Sequence, residues 1–344
     1  MSAPKEQLLG MTLVALNDVA SKMSLPAYAA GQMADWLYRK RITTIDEMTN
    51  IAAAKRERLS FFYEIGSQPP VEATASADGA IKYLFPVNNA PHFIESVYIP
   101  SDRRATLCVS SQLGCKMNCQ FCMTGKQGFT AQLTANEMMN QIQSIPQSSN
   151  LTNIVFMGMG EPLDNIDELF KTLEILTSDY GYGWSPKRIT VSTIGILPGL
   201  RRLLDESACH LAISLHSPYH EERLSLMPVE KAYPIKSIID ILHTFDFTHQ
   251  RRVSFEYILF EGINDTEQHA RAISRLLKGL ECRINLIRYH AIPGVKLYSC
   301  HEQKMEKFRD ILHMLGIPAT VRVSRGEDIF AACGMLSSTK NHKR

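Results

Sequence analysis

The sequence predicts an α/β fold: an incomplete (β/α)6-type barrel preceded by a small helical domain and a β-hairpin extension. Three observations predict it. From about residue 105 onward, short apolar runs alternate with amphipathic segments, the pattern of βα units and a mainly parallel sheet. The runs number six or seven over roughly 220 residues, fewer than the eight strands that close a barrel of about 250 residues. Before residue 71, apolar positions recur at helical rather than strand spacing.

Each part follows from local pattern. Leu13, Leu16, Val19, Ala20 and Met23 fall on one helical face, and Ser24-Leu25-Pro26 opens a second segment in which Met33, Trp36 and Leu37 align. Residues 1–70 are therefore expected to form a helical domain. The Pro69-Pro70 break begins an extension, 71–104, with strand-like runs at 82–87 and 93–99 joined by turn-rich residues 88–91. The barrel is expected over 105–325, with strands at 105–110, 153–157, 188–192, 210–215, 252–259, 283–288 and 320–323. A helix at 266–278 has Asp265 or Thr266 as cap, Ala270, Ile273 and Leu277 inward, and Gly279 as stop. Another, near 302–315, turns Met305, Phe308, Leu312 and Leu315 inward and ends at Gly316. Residues 326–344 form a C-terminal segment.

Composition excludes several classes of function. With 45% hydrophobic and 21% charged residues, and no apolar run near the roughly 20 residues that cross a bilayer, no membrane span is expected. Charges scattered through the N-terminus leave no secretory core, so the cytoplasm is the expected location. Eight cysteines in 344 residues are too few for a disulfide scaffold; in a reducing compartment a local cluster holds metal or does chemistry. A net charge of +2 does not by itself argue for a nucleic-acid partner. The basic clusters at Arg39 to Arg41, Arg103-Arg104, Arg251-Arg252 and Lys340 to Arg344 read as ordinary solvated surface.

One cluster does stand out. Cys115, Cys119 and Cys122 lie in CKMNCQFC, a C-x3-C-x2-C spacing with no fourth Cys or His nearby. Structural zinc is closed by four ligands, whereas a cubane iron-sulfur group held by three thiolates keeps one iron open for a substrate. A cluster, a zinc site and three unmetallated thiols all remain open on the residues alone. At the end of the next predicted strand, Met157-Gly-Met-Gly160-Glu161-Pro162 combines two glycines, which allow close backbone approach, with a carboxylate able to receive an ammonium. Ser192 and Ser214-Leu215-His216 also sit at strand ends, where hydroxyl, backbone and imidazole groups can bond a ribose or adenine. As lone residues they read equally as strand-end caps.

The cysteine spacing, with Phe121 before the last thiol, resembles the radical S-adenosylmethionine (SAM) superfamily, and more narrowly the RlmN/Cfr family of rRNA adenine methyltransferases. CVSSQLGCKMNCQFCMTGKQGF, FMGMGEPLDN, SLHSP, INLIRYH and RGEDIFAACGML occur in that family's order, and the N-terminal IDEMTN fits as well. TGKQGF, Thr124 to Phe129, looks like the RlmN branch, which methylates C2 of adenine, rather than the Cfr branch, which targets C8. The resemblance implies a radical SAM partial barrel and a [4Fe-4S] cluster on Cys115, Cys119 and Cys122, with two SAM molecules consumed per turnover.

It also implies residue roles. Gly160, Glu161, Ser192, Ser214, Leu215, His216 and His290 would contact the nucleotide, His290 standing where many relatives carry asparagine. Carbon 2 of adenine is too electron-poor to attack a sulfonium methyl directly, so a radical route is needed. In the family a methyl group is first placed on a cysteine that matches Cys333; a second cysteine, matching Cys108, resolves the protein–RNA adduct by forming a disulfide. Glu95 matches the proton acceptor. Cys209, Cys282 and Cys300 match no catalytic position. The implied substrates are adenosine 2503 of 23S rRNA and adenosine 37 of some tRNAs, with a reducing partner such as flavodoxin and a monomer as the default state. C8 methylation of the same rRNA adenosine, and a non-catalytic metal-stabilised RNA-binding protein, are the competing expectations.

Overall fold

The computed structural model describes residues 5–87, 92–247 and 253–337. The predicted turn at 88–91, the pair Arg251-Arg252 and the basic tail Lys340 to Arg344 lie outside the described residues.

One ten-stranded sheet organises the chain. Its strands are β1 (Glu72–Ala75), β2 (Ile81–Pro86), β3 (Phe93–Ser101), β4 (Arg104–Cys108), β5 (Asn153–Phe156), β6 (Ile189–Thr193), β7 (His210–Ser214), β8 (Val253–Leu259), β9 (Cys282–Arg288) and β10 (Ala319–Val321). They lie side by side in chain order. β1 to β4 pair antiparallel, so the expected hairpin is present with Pro86 opposite Phe93; from β4 to β10 every neighbour is parallel. The sheet ends at β10 and β1, which is the unclosed barrel the strand count predicts.

Helices fill the crossovers. α4 (Ala135–Gln143) starts at a capping box in which Thr134 and Glu137 satisfy each other. α5 (Ile166–Thr177), α6 (Leu197–Glu206) and α7 (Ile235–Leu242) pack their apolar faces into the same core. α8 (Glu267–Leu276) is capped by Thr266, whose hydroxyl meets His269 Nδ1 at 2.6 Å, and buries Ala270 and Ile273 completely. α9 (Glu302–Met314) ends in a Schellman motif: Gly316, at φ 81°, donates to His313 O and Ile317 to Leu312 O, both at 2.9 Å. Among the described residues no helix is long and apolar enough to cross a membrane.

Ahead of the sheet, α1 (Leu13–Lys22), α2 (Ala29–Ala34) and α3 (Ala53–Phe62) form the expected helical region. α2 runs into a π-helical turn, Asp35–Lys40, which changes the phase of the face. Met33 and Leu37 are fully buried, whereas Trp36 stays part-exposed with Lys40 over its ring. This region is sewn onto α4, which is buried on every side. Asn136 Nδ2 donates to Leu9 O and Gly66 O at 3.0 and 3.1 Å, and Asn140 exchanges two hydrogen bonds with the Gln68 backbone. An amide side chain satisfies donors and acceptors that a buried helix surface would otherwise strand.

Candidate active site

The C-terminal ends of the parallel strands open into a cavity of about 320 Å3. Eleven of the thirteen candidate residues meet there: Cys108 at the end of β4, Cys115, Cys119 and Cys122 in their loop, Gly160 and Glu161 in the turn after β5, and Cys333, with Ser192, Ser214, His216 and His290 completing the wall. Glu95 and Leu215 are not among its lining residues.

The cysteine loop is short because both flanks are fixed. Gln112–Gly114 pairs antiparallel with Phe129–Gln132, and Cys115 N–H reaches Gly128 O at 2.9 Å, so the loop returns within a few residues. Burial pushes the Cys115 thiol up to about 12, lifts Cys119 far above its ordinary range, and raises Cys122. Bare, these thiols keep their protons at neutral pH; a metal group that takes them as thiolates must displace those protons. Among the described residues no three His, Cys, Asp or Glu side chains converge tightly enough to hold a single ion. Three sulfurs around one cavity, without a closed tetrahedral centre, fit a multi-iron group better than zinc.

Glu161 is held from three sides. Its Oε1 accepts from Thr193 Oγ1 (2.5 Å) and Leu163 N–H (3.0 Å), and its Oε2 from Ile194 N–H (2.9 Å). Burial outweighs these bonds and pushes the carboxyl up to about 7. The two glycines beside it have a role the sequence did not suggest. A Cβ on Gly160, at φ 96°, would meet Gln112 Cβ at 2.4 Å, and one on Gly158 would meet Ser110 Oγ at 2.6 Å. Close approach is to the neighbouring strand-end turn of the protein itself.

His216 sits at φ 54°, and its Nδ1 accepts from Ile258 N–H at 3.0 Å. That bond fixes the neutral tautomer with the proton on Nε2, available as a donor; burial pushes the imidazolium down to about 3. Leu215 is fully buried and both its backbone groups are occupied, N–H by Glu256 O and C=O by Arg223 Nε, each at 3.0 Å. His290 lines the wall with Nε2 on Ser324 Oγ at 2.9 Å and Nδ1 3.3 Å from Glu327.

The segment carrying Cys333 is strapped across the cavity. Met123 N–H donates to Gly334 O (2.7 Å), Thr124 Oγ1 to Leu336 O (2.8 Å), and Ser337 N–H to Glu95 Oε2 (2.9 Å). Glu95 thus lies under the strap, 3% exposed, with Lys82 Nζ 3.0 Å from its other oxygen. Burial raises its carboxyl above the ordinary range although Lys82 opposes it. Cys108 shares the face of the sheet with Glu95: Val97 is its register partner, and Glu95 lies one pleat repeat further along β3. Burial pushes the Cys108 thiol up to about 12. Cys209, Cys282 and Cys300 do not line the cavity.

Four residues that shape the site escaped sequence reasoning. Arg223 and Glu230 form an ion pair 0% and 1% exposed beneath the mouth. Arg223 also donates to the carbonyls of Leu215, Ser214 and Ile194, tying the ends of β6 and β7 together. Glu256 and Arg322 pair at 3.4 Å inside the barrel. A signal existed for Glu256: it, Asn285 and Thr320 are polar residues in register across three adjacent strands.

Comparison with known proteins agrees with this geometry. A profile of the Radical SAM superfamily matches residues 109–273, and one for the ribosomal RNA large subunit methyltransferase N-terminal domain matches residues 6–65. A probable dual-specificity RNA methyltransferase RlmN of Parabacteroides distasonis is 67% identical over 98% of each chain. The dual-specificity RNA methyltransferase RlmN of Desulfotalea psychrophila is 38% identical over 96% of this chain and 94% of its own. A crystal structure of a radical SAM methyltransferase from Sphaerobacter thermophilus superposes with a TM-score of 0.90 at 38% identity, covering 96% of this chain and 99% of that one.

Proposed function

Because the chain belongs to the RlmN family of radical SAM RNA methyltransferases, we propose that it methylates C2 of adenine in 23S rRNA and in tRNA through a methylated Cys333. One observation carries the reading: Cys108 and Cys333, remote in sequence, face the same cavity as the three clustered thiols.

Cys115, Cys119 and Cys122 would hold the [4Fe-4S] cluster, and Gly160, Glu161, Ser192, Ser214, His216 and His290 the nucleotide. When bound, the cluster supplies a reducing electron, and SAM supplies a methyl group in one use and a hydrogen-abstracting radical in a second. The protein's own part is to carry and release the carbon. Cys333 Sγ accepts the methyl group, and its carbon then bonds to C2, joining protein and RNA. Glu95, its carboxyl lifted by burial, takes the C2 proton. Cys108 attacks Cys333 Sγ and frees the methylated base as a disulfide forms. The helical region at 1–70 serves as an RNA accessory domain, since a base within folded RNA must be unstacked to reach the mouth of a barrel. A flavodoxin-type donor, a monomeric state and a cytoplasmic location complete the proposal.

The test is mass spectrometry of the Cys333 peptide from protein expressed with its cluster assembled. An added methyl, lost in Cys119→Ala, is the expected result. A bare Cys333 in iron-replete protein would overturn the methylcysteine route, and a product methylated on C8 would overturn the regiochemistry.

A further inference from the structure

Behind the cavity a second, polar space of about 840 Å3 occupies the barrel interior, and Met157, Glu256 and Arg322 line both. A hydrogen-bonded rung crosses three adjacent strands there. Glu256 is in register with Asn285, and Asn285 with Thr320. Thr320 Oγ1 donates to Asn285 Oδ1 (3.1 Å), and Asn285 Nδ2 donates to Glu256 Oε1 (2.7 Å), which Ser254 Oγ also reaches at 3.3 Å. The second carboxylate oxygen accepts from Arg322 Nη1 at 3.4 Å. The rung fixes the carboxylate, and the carboxylate fixes the guanidinium.

Arg322 follows β10, the last parallel strand, its N–H bonded to Leu286 O at 2.8 Å. Cys108 ends β4, the first. Arg322 Nη1 lies 3.8 Å from Met157 Sδ, and Arg322, Met157 and Cys108 line the same cavity. The cation therefore sits across the unclosed side of the barrel from the thiol, where no strand intervenes. The Arg322 side chain is 41% exposed where it lines the two spaces; its partial desolvation works against the charge, but Glu256, Cys333 and Cys108 outweigh it and keep the guanidinium protonated.

We propose that Arg322, anchored on Glu256, is a positioning residue for the cysteine exchange: it stabilises the Cys108 thiolate that resolves the protein–RNA adduct. The inference rests on the reading of Cys108 as the resolving thiol. In that step the Cys108 Sγ–Cys333 Sγ bond forms and the Cys333 Sγ–CH2 bond breaks. Its electron pair passes to the carbon, which takes a proton from water to complete the methyl group; the two sulfurs are oxidised and the carbon is reduced. Thiolate, not thiol, is the nucleophile. From β3 Cys108 is faced by Val97 and Ile99, with the titratable Glu95 one pleat repeat further along the same face, and from β5 and the residue after it by Val155 and Met157, neither titratable. The charged and titratable groups that reach it are Cys333 and Arg322, with Glu256 behind.

The experiment is single-turnover decay of the covalent RNA adduct between pH 6.5 and 9 in wild type, Cys108→Ala, Arg322→Met and Arg322→Lys, each first checked for a methylated Cys333. Cys108→Ala is expected to trap the adduct. Arg322→Met is expected to slow its decay about tenfold near neutral pH and to move the pH profile up by about one unit, the tenfold equivalent, and Arg322→Lys to recover most of the rate. If Cys108→Ala fails to trap an adduct, the resolving role itself is wrong and the inference goes with it. If the trap forms but Arg322→Met decays like wild type, or both Arg322 variants slow equally with an unmoved pH profile, Arg322 has no electrostatic part in the exchange.

Discussion

Replacing Arg223 by methionine tests what holds the mouth of the barrel in shape. Methionine fills a similar length but donates nothing, so Glu230, 1% exposed, loses its guanidinium partner and keeps only His220 Nδ1 at 2.9 Å and the Ile235 N–H at 3.0 Å, and the carbonyls of Leu215, Ser214 and Ile194 lose this donor. Removing one partner of a buried ion pair costs about 3–5 kcal/mol. Unfolding entropy of roughly 2.1 cal/mol/K per residue gives about 0.7 kcal/mol/K for a chain of this length, so a loss near 4 kcal/mol lowers Tm by about 5 °C. The measurement is the apparent Tm of reduced, cluster-free protein at a fixed scan rate, with Arg223→Met/Glu230→Gln alongside. The double variant is expected to recover about half of the loss, because the stranded charge is gone while the carbonyls remain unmet. A single variant within 1 °C of wild type, or a double variant no better than the single, would refute the reasoning.

Other perturbations separate the roles of neighbouring groups. Cys119→Ala is expected to lose both iron and methylation; iron content at the wild-type level in anaerobically prepared protein would contradict the donor set. Gly160→Ala adds a Cβ 2.4 Å from Gln112 at a positive φ and is expected to cost about 2–5 kcal/mol, read as a lowered urea midpoint. The Glu161 carboxyl lies near 7 in the folded protein against 4.5 for the free group. Its protonated form is the one the fold favours, so that stability is fully present below about pH 4.5 and is lost as pH rises through about 7, roughly 3 kcal/mol in all. Urea midpoints of cluster-free protein should therefore fall between pH 5 and 8 more steeply in wild type than in Glu161→Gln; parallel curves would assign the slope to other groups.

The strands from β2 to β10 and the two helices given bounds, near 266–278 and 302–315, were legible because each is set by local pattern; the edge strand Glu72–Ala75 was not read. The caps at Thr266 and Gly316 fall where side-chain chemistry and glycine freedom demand. The three clustered thiols and Glu161 stood out as candidates by residue type and spacing, whereas Cys333 was named only through the family resemblance, because nothing in its local pattern marks it. Trp36 was misaligned because periodicity assumes 3.6 residues per turn, and a π-helical turn breaks that assumption. The two-stranded Gln112–Gly114 and Phe129–Gln132 ribbon was missed because the cysteine loop interrupts it and neither strand alternates long enough to show. Arg223, Glu230 and Arg322 were invisible for a different reason: their partners come from segments that meet only in the folded barrel, and Glu256 left its signal only in the register it shares with Asn285 and Thr320. Gly158 and Gly160 were noticed, but the atoms they make room for belong to Ser110 and Gln112 on another turn.

The strand order that matches chain order has a consequence for how the molecule comes into being. As the polypeptide leaves the ribosome, each strand from β2 to β10 finds its partner already made, so the sheet can extend in the direction of synthesis. The cavity follows a different schedule. Its cluster loop emerges just after β4, while the strap with Cys333, tied to Met123, Thr124 and Glu95, emerges only after β10. A chain interrupted before the strap would own a barrel and three open thiols but no sulfur to receive the carbon. Synthesis of the strap is thus the event that brings the proposed acceptor sulfur into one chamber with the clustered thiols, and a product truncated before it lacks that sulfur.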